Sequence, residues 1–335
     1  MNGQKPDADQ IIAHVQHLRT QPWLSKSQKW WPEYLFHFSD LTNAVNILKK
    51  GQLLCRSELE ETGQLATDIA SPDIISATSL EWKMYVRLYF RPRTPTQYSN
   101  EGFRPLNERV YGGAHCPVPV LFIFSSKPIL IASETRFSQG NLGAAQPIVG
   151  DTAVFFKTLP FEQIYFERSN IGLSSSEKRA IIDHKNAEVI VPSPLDLSNL
   201  RAILCRSQAE FETLIYLLPP DIYDSWADKI GVRNDLPVFF SDWSFVERVD
   251  LSSSEISFHF NAISKTPGPF HARLEIQETF TGKMLVWKKD DFYAQERLSF
   301  SLSILSHPES YVVKLLLDGQ LAYENNYLEN DGLPF

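Results

Sequence analysis

Glu188 stands at the start of a short apolar run, Val189-Ile190-Val191, which Pro192 ends. A run of β-branched residues that a turn signal closes predicts a buried strand. A carboxylate at the mouth of such a strand is held rigidly and partly desolvated, so it is suited to act as a general base or to accept a hydrogen bond from a substrate hydroxyl. The stretch alone leaves open an ordinary strand-end glutamate in solvent.

A second candidate for chemistry is Arg93, which lies in the stretch Arg91-Pro92-Arg93-Thr94-Pro95. The two prolines fix the backbone around Arg93 and keep it out of a helix or a ladder. An arginine held in such a turn can be aimed at a pyrophosphate, a carboxylate or a base edge, because its planar fork matches these groups. The alternative is an arginine paired with a surface carboxylate.

Several common chemistries lack their motifs in this chain. We find no P-loop, no GxGxxG that opens a helix after a strand, no HExxH and no nucleophile elbow. The eight histidines show no metal-ligand spacing, and the three cysteines form no CxxC pair. The sequence therefore predicts no metal and no disulfide framework.

Length and charge limit the class of protein. The chain has 335 residues, enough for two domains, and a net charge of −8, which argues against a surface coated in positive potential. A local basic strip runs from 83 to 109, where six Lys/Arg face two Glu, and it fits a nucleic acid, a phosphate-bearing cofactor or a solvated edge. The polar N-terminus and the absence of a membrane-length apolar run predict a cytoplasmic protein with no membrane partner.

Hydrophobic periodicity and capping signals predict the elements that position these residues. We expect helices over 7–19, 40–50, 151–157 and 209–218, with a further helix that Ser174 and Glu177 cap before the Glu188 strand. We expect strands over 34–40, 84–90, 120–124, 163–166 and 200–205. The segments 63–78 and 98–113 are predicted to be a polar loop and a mobile excursion.

The hydrophobic pattern of the sequence changes after Pro237. Apolar and polar residues alternate over 256–262, 298–304 and 311–317, with turn signals between them. Short alternating strands with regular turns predict an antiparallel β-sandwich, which carries more acidic than basic residues. The predicted organisation is a helical extension (1–33), a domain at 34–220 and an accessory β-sandwich at 238–335.

Three segments together resemble the DarT family. They are the stretch 35–40 before a helix that ends at Gly51, the stretch 88–95, and the stretch 186–191; further matches lie at 115–120, 137–141 and 151–156. DarT proteins are toxins that use NAD to ADP-ribosylate bases in single-stranded DNA. The resemblance runs from about 34 to 218 and implies an α+β fold, in which a split mixed-to-antiparallel β core with helices precedes the sandwich.

The resemblance also implies roles for single residues. It places His37 and Ser39 at the nicotinamide-ribose end of an NAD pocket that includes Tyr89. Arg93 corresponds to the essential arginine near the pyrophosphate, and Glu188 to the catalytic glutamate. Three residues are expected to contact the nucleic acid: Arg87, Arg91 and Asn141. In this sequence Ser39 replaces the usual threonine, and Gln139 replaces the usual acidic residue, which bears on base selection.

The chemistry agrees with these residue types. Cleaving the nicotinamide–ribose bond builds positive charge at the anomeric carbon, which a fixed carboxylate stabilises. Target bases must be unstacked, so that single strands are favoured, and Tyr89 or Tyr98 could serve as a stacking platform.

Our hypothesis is an NAD-dependent ADP-ribosyltransferase of single-stranded DNA that needs no metal. It would be the toxin of a toxin–antitoxin or phage-defence system, with a macrodomain antitoxin as a separate chain. One alternative is transfer to RNA, to protein or to water. The other is an inactive fold that works as a binding module through its acidic sandwich, for which we predict a protein partner.

Overall fold

A computed structural model describes residues 3–63, 66–69, 71–111, 114–144, 146–169, 171–294 and 297–329. The helices are α1 Ala8–Thr20, α2 Leu41–Lys50, α3 Arg56–Glu61, α4 Pro72–Ala77, α5 Leu80–Lys83, α6 Pro95–Asn100, α7 Ser126–Leu130, α8 Ala153–Thr158, α9 Phe161–Ile164, α10 Ser175–His184, α11 Gln208–Leu217 and α12 Pro220–Trp226. Short 3₁₀ helices lie at Lys26–Gln28, Trp31–Glu33, Leu106–Glu108 and Leu197–Asn199.

An eight-stranded sheet forms the first half of the molecule. Its strands are β1 Tyr34–Asp40, β3 Tyr85–Tyr89, β4 Pro119–Ser125, β5 Arg136–Ser138, β6 Val149–Gly150, β7 Glu188–Pro192, β9 Leu200–Cys205 and β10 Ile230–Val232. Their order is β10-β9-β4-β1-β3-β7-β5-β6, and neighbours are antiparallel except for the parallel pair β9 and β10. The strands β2 Gln52–Leu53 and β8 Leu195–Asp196 form a separate pair. Strand β3 therefore lies between β1 and β7 and pairs with both.

Apolar side chains cover both faces of the central strands. The run Pro119–Phe124 in β4 is buried at every position, as in a strand with neighbouring layers on both sides. Helix α2 begins where the Asp40 carboxylate accepts a hydrogen bond from the Thr42 N–H. It ends at Gly51, whose φ of +65° is a left-handed conformation that glycine adopts without strain. The predicted strand–helix–turn unit is confirmed.

Two predicted elements in this half are wrong. The segment 163–166, predicted as a strand, contains the last two residues of α9 and the turn after it, and Phe161 and Ile164 face the core one helical turn apart. The segment 63–78, predicted as a loop, contains α4, which Pro72 opens at its first turn.

The predicted excursion 98–113 is packed against the rest of the protein. The backbone N–H of Phe103 donates to the Ser244 carbonyl at 2.7 Å, and the Phe103 ring is buried. A Cβ at Gly102 would lie 2.6 Å from the Trp243 Cβ, so that this approach of the two chains requires glycine.

Two antiparallel sheets follow in the C-terminal region. The order of the first is β11-β12-β15, from Val246–Leu251, Glu255–Phe260 and Arg297–Ser301. The order of the second is β14-β13-β16-β17, from Met284–Phe292, Phe270–Glu278, Ser310–Leu317 and Gln320–Leu328. The sheets meet through aromatic pairs such as Phe258 and Tyr323, whose ring centroids are 5.9 Å apart. The α+β fold with a C-terminal antiparallel sandwich is confirmed, whereas the domain boundaries stay predictions.

Candidate active site

Strand pairing brings Glu188 beside the residues of two other predicted segments. Tyr89 lies opposite Glu188 on β7 and opposite Phe36 on β1. The imidazole Nδ1–H of His37 donates to the Arg87 carbonyl at 3.2 Å. The sheet therefore places His37, Arg87, Tyr89 and Glu188 on adjacent strands, although they are far apart in sequence.

The Glu188 side chain is 3% exposed. Its Oε2 lies 3.6 Å from the Arg87 Nε and has no hydrogen-bond partner among the described residues. Burial raises the pKa of Glu188 to about 6, against the opposing effects of Arg87 and of the Leu142 N–H, which donates to the carboxylate. At neutral pH the group is mostly ionised, and its Oε2 faces the Arg87 guanidinium without accepting a hydrogen bond from the described residues.

The turn after β5 fixes the backbone of Glu188. The Glu188 N–H donates to the Ser138 hydroxyl at 2.8 Å, and this hydroxyl donates to the Gly140 carbonyl at 2.7 Å. The Asn141 N–H donates to Asp183 Oδ1 at 3.2 Å, so that the turn is also tied to α10. A Cβ at Gly140 would lie 2.2 Å from the Asp183 carboxylate, which explains the glycine at this position.

Two adjoining cavities share His37, Leu54 and Leu59 in their walls. The larger, of about 480 Å³, lies along α2 and is lined by polar groups that include Ser39 and Asn43. The smaller, of about 210 Å³, is lined by aromatic and basic residues that include Arg87 and Tyr89. Together they form a cleft of the size that small-molecule sites occupy, and neither Arg93 nor Glu188 is among its lining residues.

His37 stands at the junction of the two cavities in its neutral form. Burial lowers its pKa, and the hydrogen bond to the Arg87 carbonyl places the ring proton on Nδ1. The Nε2 atom is then an acceptor. Ser39 is buried and lines only the larger cavity.

Arg93 lies in the predicted turn, with a left-handed φ of +57°. Its guanidinium is 27% exposed and forms an ion pair with Glu167 at 3.0 Å. Its Nε is buried and has no hydrogen-bond partner in the part of the chain that the structure describes. A residue with positive φ and an unpaired buried donor is strained and incompletely satisfied, as binding groups often are.

No hydrogen bond or ion pair joins Arg93 to Glu188 among the described residues. The two segments are neighbours, however, because the Thr96 hydroxyl donates to Asn186 Oδ1 at 3.3 Å. This contact connects α6, which follows Arg93, to the residues directly before β7.

Arg91 differs from the prediction, since it lies inside the protein. Its side chain is 1% exposed, and its guanidinium donates to the carbonyls of Ile164 at 2.9 Å and Phe166 at 3.1 Å. It also forms an ion pair with Glu167. The predicted nucleic-acid contact of Arg91 is therefore not accessible, because all of these donors serve the packing of α9.

The other two predicted nucleic-acid contacts lie nearer the surface. Arg87 is half-buried between Glu188 and the smaller cavity. Asn141 Oδ1 accepts a hydrogen bond from the Gly143 N–H at 2.9 Å, which stabilises the loop after β5. The exposed Tyr98 packs edge-on against Phe240 at 5.1 Å and lines neither cavity of the cleft.

Sequence reasoning missed residues that join these segments. Glu167 bridges Arg91 and Arg93, and Lys185 carries a pKa lowered to about 8 by burial and by the nearby arginines. Neither residue lies in a motif. For Lys185, the only local signal of a role in the site is its position three residues before the buried Glu188 strand.

Within the described ranges, no three His, Cys, Asp or Glu side chains are grouped so that they could hold a metal ion. In those same ranges, no helix has the length and apolarity needed to cross a membrane.

Comparisons with known proteins define the class. A family model described as "ssDNA thymidine ADP-ribosyltransferase, DarT" matches residues 36–236. Since this range is more than half of the chain, the class is that of an NAD-dependent ADP-ribosyltransferase of single-stranded DNA. The chain belongs to the DarT family.

Solved structures with similarity to this chain include two complexes of DarT from Thermus sp. 2.9. The complex with ADP-ribosylated ssDNA is 18% identical, with a TM-score of 0.47, and the match covers 61% of this chain and 96% of that one. The complex with NAD⁺ is also 18% identical, with a TM-score of 0.45 and coverage of 61% and 97%.

A third similar structure is Thermosipho africanus DarTG in complex with ADP-ribose. It is 15% identical, has a TM-score of 0.44, and the match covers 66% of this chain and 54% of that one. No curated protein matches the chain.

Proposed function

We propose that Glu188 is the catalytic carboxylate of this ADP-ribosyltransferase. The observation that carries the proposal is the buried carboxylate at the start of β7, whose Oε2 lies 3.6 Å from the Arg87 Nε and accepts no hydrogen bond from the described residues. Burial of an ionised group costs free energy unless a partner compensates it. An anomeric carbon that develops positive charge, and the ribose hydroxyls beside it, supply that compensation during the reaction.

NAD is proposed to lie along the two adjoining cavities, with its nicotinamide ribose at His37. The neutral His37 offers Nε2 as an acceptor, while Ser39 lines the larger cavity and Tyr89 the smaller. Arg93 is proposed to hold the pyrophosphate through the accessible part of its guanidinium, since the side chain is 27% exposed. Bidentate or paired contacts of this kind fix the reacting geometry of the dinucleotide.

The proposed transfer breaks the bond between the ribose C1′ and the nicotinamide nitrogen, whose electron pair leaves with neutral nicotinamide. A new bond forms between C1′ and the ring nitrogen of the target base. The proton of that nitrogen passes to the Glu188 carboxylate, which later returns it to solvent. Because the pKa of Glu188 is about 6, the group is ionised before the reaction and still basic enough to take a proton.

The target base is proposed to be thymine, as in the description of the family. Arg87 and Asn141 are proposed as contacts to the DNA strand, since Arg87 pairs with Glu188, Asn141 precedes the Leu142 N–H that donates to Glu188, and neither is deeply buried. Gln139, which stands where the family usually has an acidic residue, is the position to examine if another base is modified.

We further propose that the chain is a toxin of a toxin–antitoxin system and acts in the cytoplasm, where NAD and DNA are both present. A macrodomain on a separate chain would remove the ADP-ribose mark. The proposal rests on membership of the DarT family. If it is correct, expression should arrest growth, and co-expression of an ADP-ribosyl-hydrolysing macrodomain should restore it; arrest that persists with active macrodomain would contradict the pairing.

Transfer of labelled ADP-ribose from NAD tests the activity. Single-stranded oligonucleotides with and without thymidine, duplex DNA, RNA and bulk protein are offered separately. We expect label on the thymidine-containing single strand. Label on RNA or protein instead, or release of nicotinamide without any transfer, would replace this acceptor by one of the alternatives.

A further inference from the structure

The segment 237–245, which we call the strap, leads from the matched residues 36–236 into the C-terminal sheets. It does not run freely between the two halves of the molecule. Ser241 within it has a left-handed φ of +58°, as Arg93 has at +57°. Two non-glycine residues in this conformation, on segments that contact one another, indicate that surrounding contacts hold both backbones.

A buried carboxylate anchors the strap to the segment after Arg93. Glu101 accepts hydrogen bonds from the N–H groups of Phe240 at 3.1 Å and of Ser241 at 2.8 Å. The carboxylate is inaccessible to solvent, and its countercharge is Arg206 at 3.5 Å. Because these hydrogen bonds go to a charged acceptor, they are stronger than neutral ones.

A second anchor ties the strap to Arg93 itself. The amide oxygen of Gln97 accepts a hydrogen bond from the Arg93 N–H at 3.0 Å. The amide nitrogen of the same side chain donates to the Val238 carbonyl at 3.1 Å and to Glu101 at 2.9 Å. One buried side chain therefore connects the backbone of Arg93 to the backbone of the strap.

The Phe240 ring contacts the functional end of Arg93. The guanidinium carbon lies 5.0 Å from the centre of the ring, within the range of a cation–π contact. Tyr98 packs edge-on against the other side of this arrangement, 5.1 Å from Phe240. With Glu167 on one terminal nitrogen, these contacts restrict the guanidinium and leave its Nε unpaired within the described residues.

We propose that Phe240 is a positioning residue of the active site, which aims the Arg93 guanidinium at the pyrophosphate of NAD. The proposal rests on the function proposed above for Arg93. The ring stabilises one orientation of the guanidinium before NAD binds, so that less rotamer entropy is lost on binding. The C-terminal region thus supplies part of the NAD site through the strap, and does not serve only as a surface for partners.

The test uses the full-length protein and replaces single rings. Phe240→Leu removes the aromatic face and Phe240→Trp keeps one. Phe239→Leu is the matched control, since Phe239 packs against the core and, among the described residues, makes no cation–π contact with Arg93. We expect Phe240→Leu to raise the Kd and the KM for NAD by about three- to tenfold, with the KM for DNA within about twofold of wild type. Phe240→Trp and Phe239→Leu should stay within about twofold of wild type in all three constants.

A purely structural role of Phe240 would lower the active fraction and leave the KM for NAD unchanged, which would overturn the proposal. Equal effects of Phe240→Leu and Phe239→Leu would do the same. Where Phe240→Leu melts below the assay temperature, Phe240→Met takes its place with the same expectation, since it retains more of the side-chain volume.

An Arg93→Gln background separates this inference from the proposed function. We expect Arg93→Gln to weaken NAD binding and Phe240→Leu to add less than about twofold to that defect. If Arg93→Gln binds NAD as wild type does, the role of Arg93 is wrong, and the positioning role of Phe240 falls with it. If Arg93→Gln loses affinity but Phe240→Leu does not, only the inference about Phe240 is overturned.

Discussion

The region of the eight-stranded sheet buries more charged side chains than the C-terminal sheets do. The first buries several carboxylates and guanidiniums: Asp40, Arg91, Glu101, Arg104, Glu188, Arg206 and Glu210. Among the described residues of the C-terminal sheets and their connections, the buried charged side chains include Glu278 and Asp318. The C-terminal core is built instead from alternating apolar and aromatic residues, as in an ordinary antiparallel sandwich.

The partners of the buried carboxylates show what this difference means. Glu278 is fully satisfied, because it accepts hydrogen bonds from the N–H of His307 at 3.3 Å, from the Ser306 N–H and from the Thr281 hydroxyl. Glu101 likewise accepts from the strap. Glu188 keeps one oxygen without a hydrogen bond in the described structure and has a raised pKa. A desolvated group that the fold does not satisfy is a candidate for function, whereas a satisfied one stabilises structure.

The largest expected effect sharpens this contrast between Glu188 and Glu278. Glu188→Gln keeps the shape of the side chain but removes the charge and the basic oxygen, so that transfer should fall by roughly 10³-fold. Glu278→Gln should lower the melting temperature, because it weakens charge-assisted hydrogen bonds. The rate of ADP-ribose transfer per folded molecule should stay within about twofold of wild type. Initial rates with labelled NAD, normalised to folded protein, measure both; similar losses in the two variants would contradict the comparison.

The next largest effect separates two arginines that stand two positions apart. Arg93→Lys replaces the planar guanidinium, which can donate two parallel hydrogen bonds, by a single ammonium. We expect kcat/KM for NAD to fall by roughly 10²-fold with little change in stability. Arg91→Lys should lower the free energy of unfolding by about 3 kcal/mol, since one ammonium cannot replace the guanidinium donors that serve Glu167 and the buried carbonyls. Urea unfolding and steady-state kinetics on both variants distinguish a catalytic role of Arg93 from a structural role of Arg91. A catalytic defect confined to Arg91→Lys would reverse the assignment.

A smaller effect concerns stability and pH. The pKa of Glu188 is raised from 4.5 to about 6 in the folded protein, so the folded state binds this proton more tightly than the unfolded state does. Ionised Glu188 therefore destabilises the fold, fully above pH 6 and not at all below the unfolded pKa. The unfolding free energy of Glu188→Gln relative to wild type should rise by about 2 kcal/mol between pH 4 and pH 8. A difference that is constant over this range would show that the pKa is not raised.

Local signals predicted the parts of the site that local sequence controls. The Glu188 strand, the α10 capping box at Ser174 and Glu177, and the turn around Arg93 are each set by residues within a few positions. Proline, glycine and capping side chains act over such distances, so these predictions were available from one sequence.

Contacts over long sequence separations were not available in this way. Arg91 and Arg93 stand in the same proline-rich turn, and only the packing of α9 buries one and leaves the other accessible. The four-residue helix α9 is too short to show a helical period, which is why the sequence pattern predicts a strand at 163–166. Phe240 carries no motif, and its contact with Arg93 spans a separation that no local pattern encodes.

The most direct test of the central claim compares the titration of Glu188 with the pH dependence of the reaction. Carbon-13 NMR of labelled glutamate, assigned with Glu188→Gln, gives the pKa of the side chain in the folded protein. We expect a pKa of about 6 and a kcat/KM for NAD that falls about tenfold per pH unit below that value, because only the ionised carboxylate is active. A rate that stays constant from pH 7 to pH 5, while Glu188 titrates near 6, would contradict the assignment of Glu188 as the catalytic carboxylate.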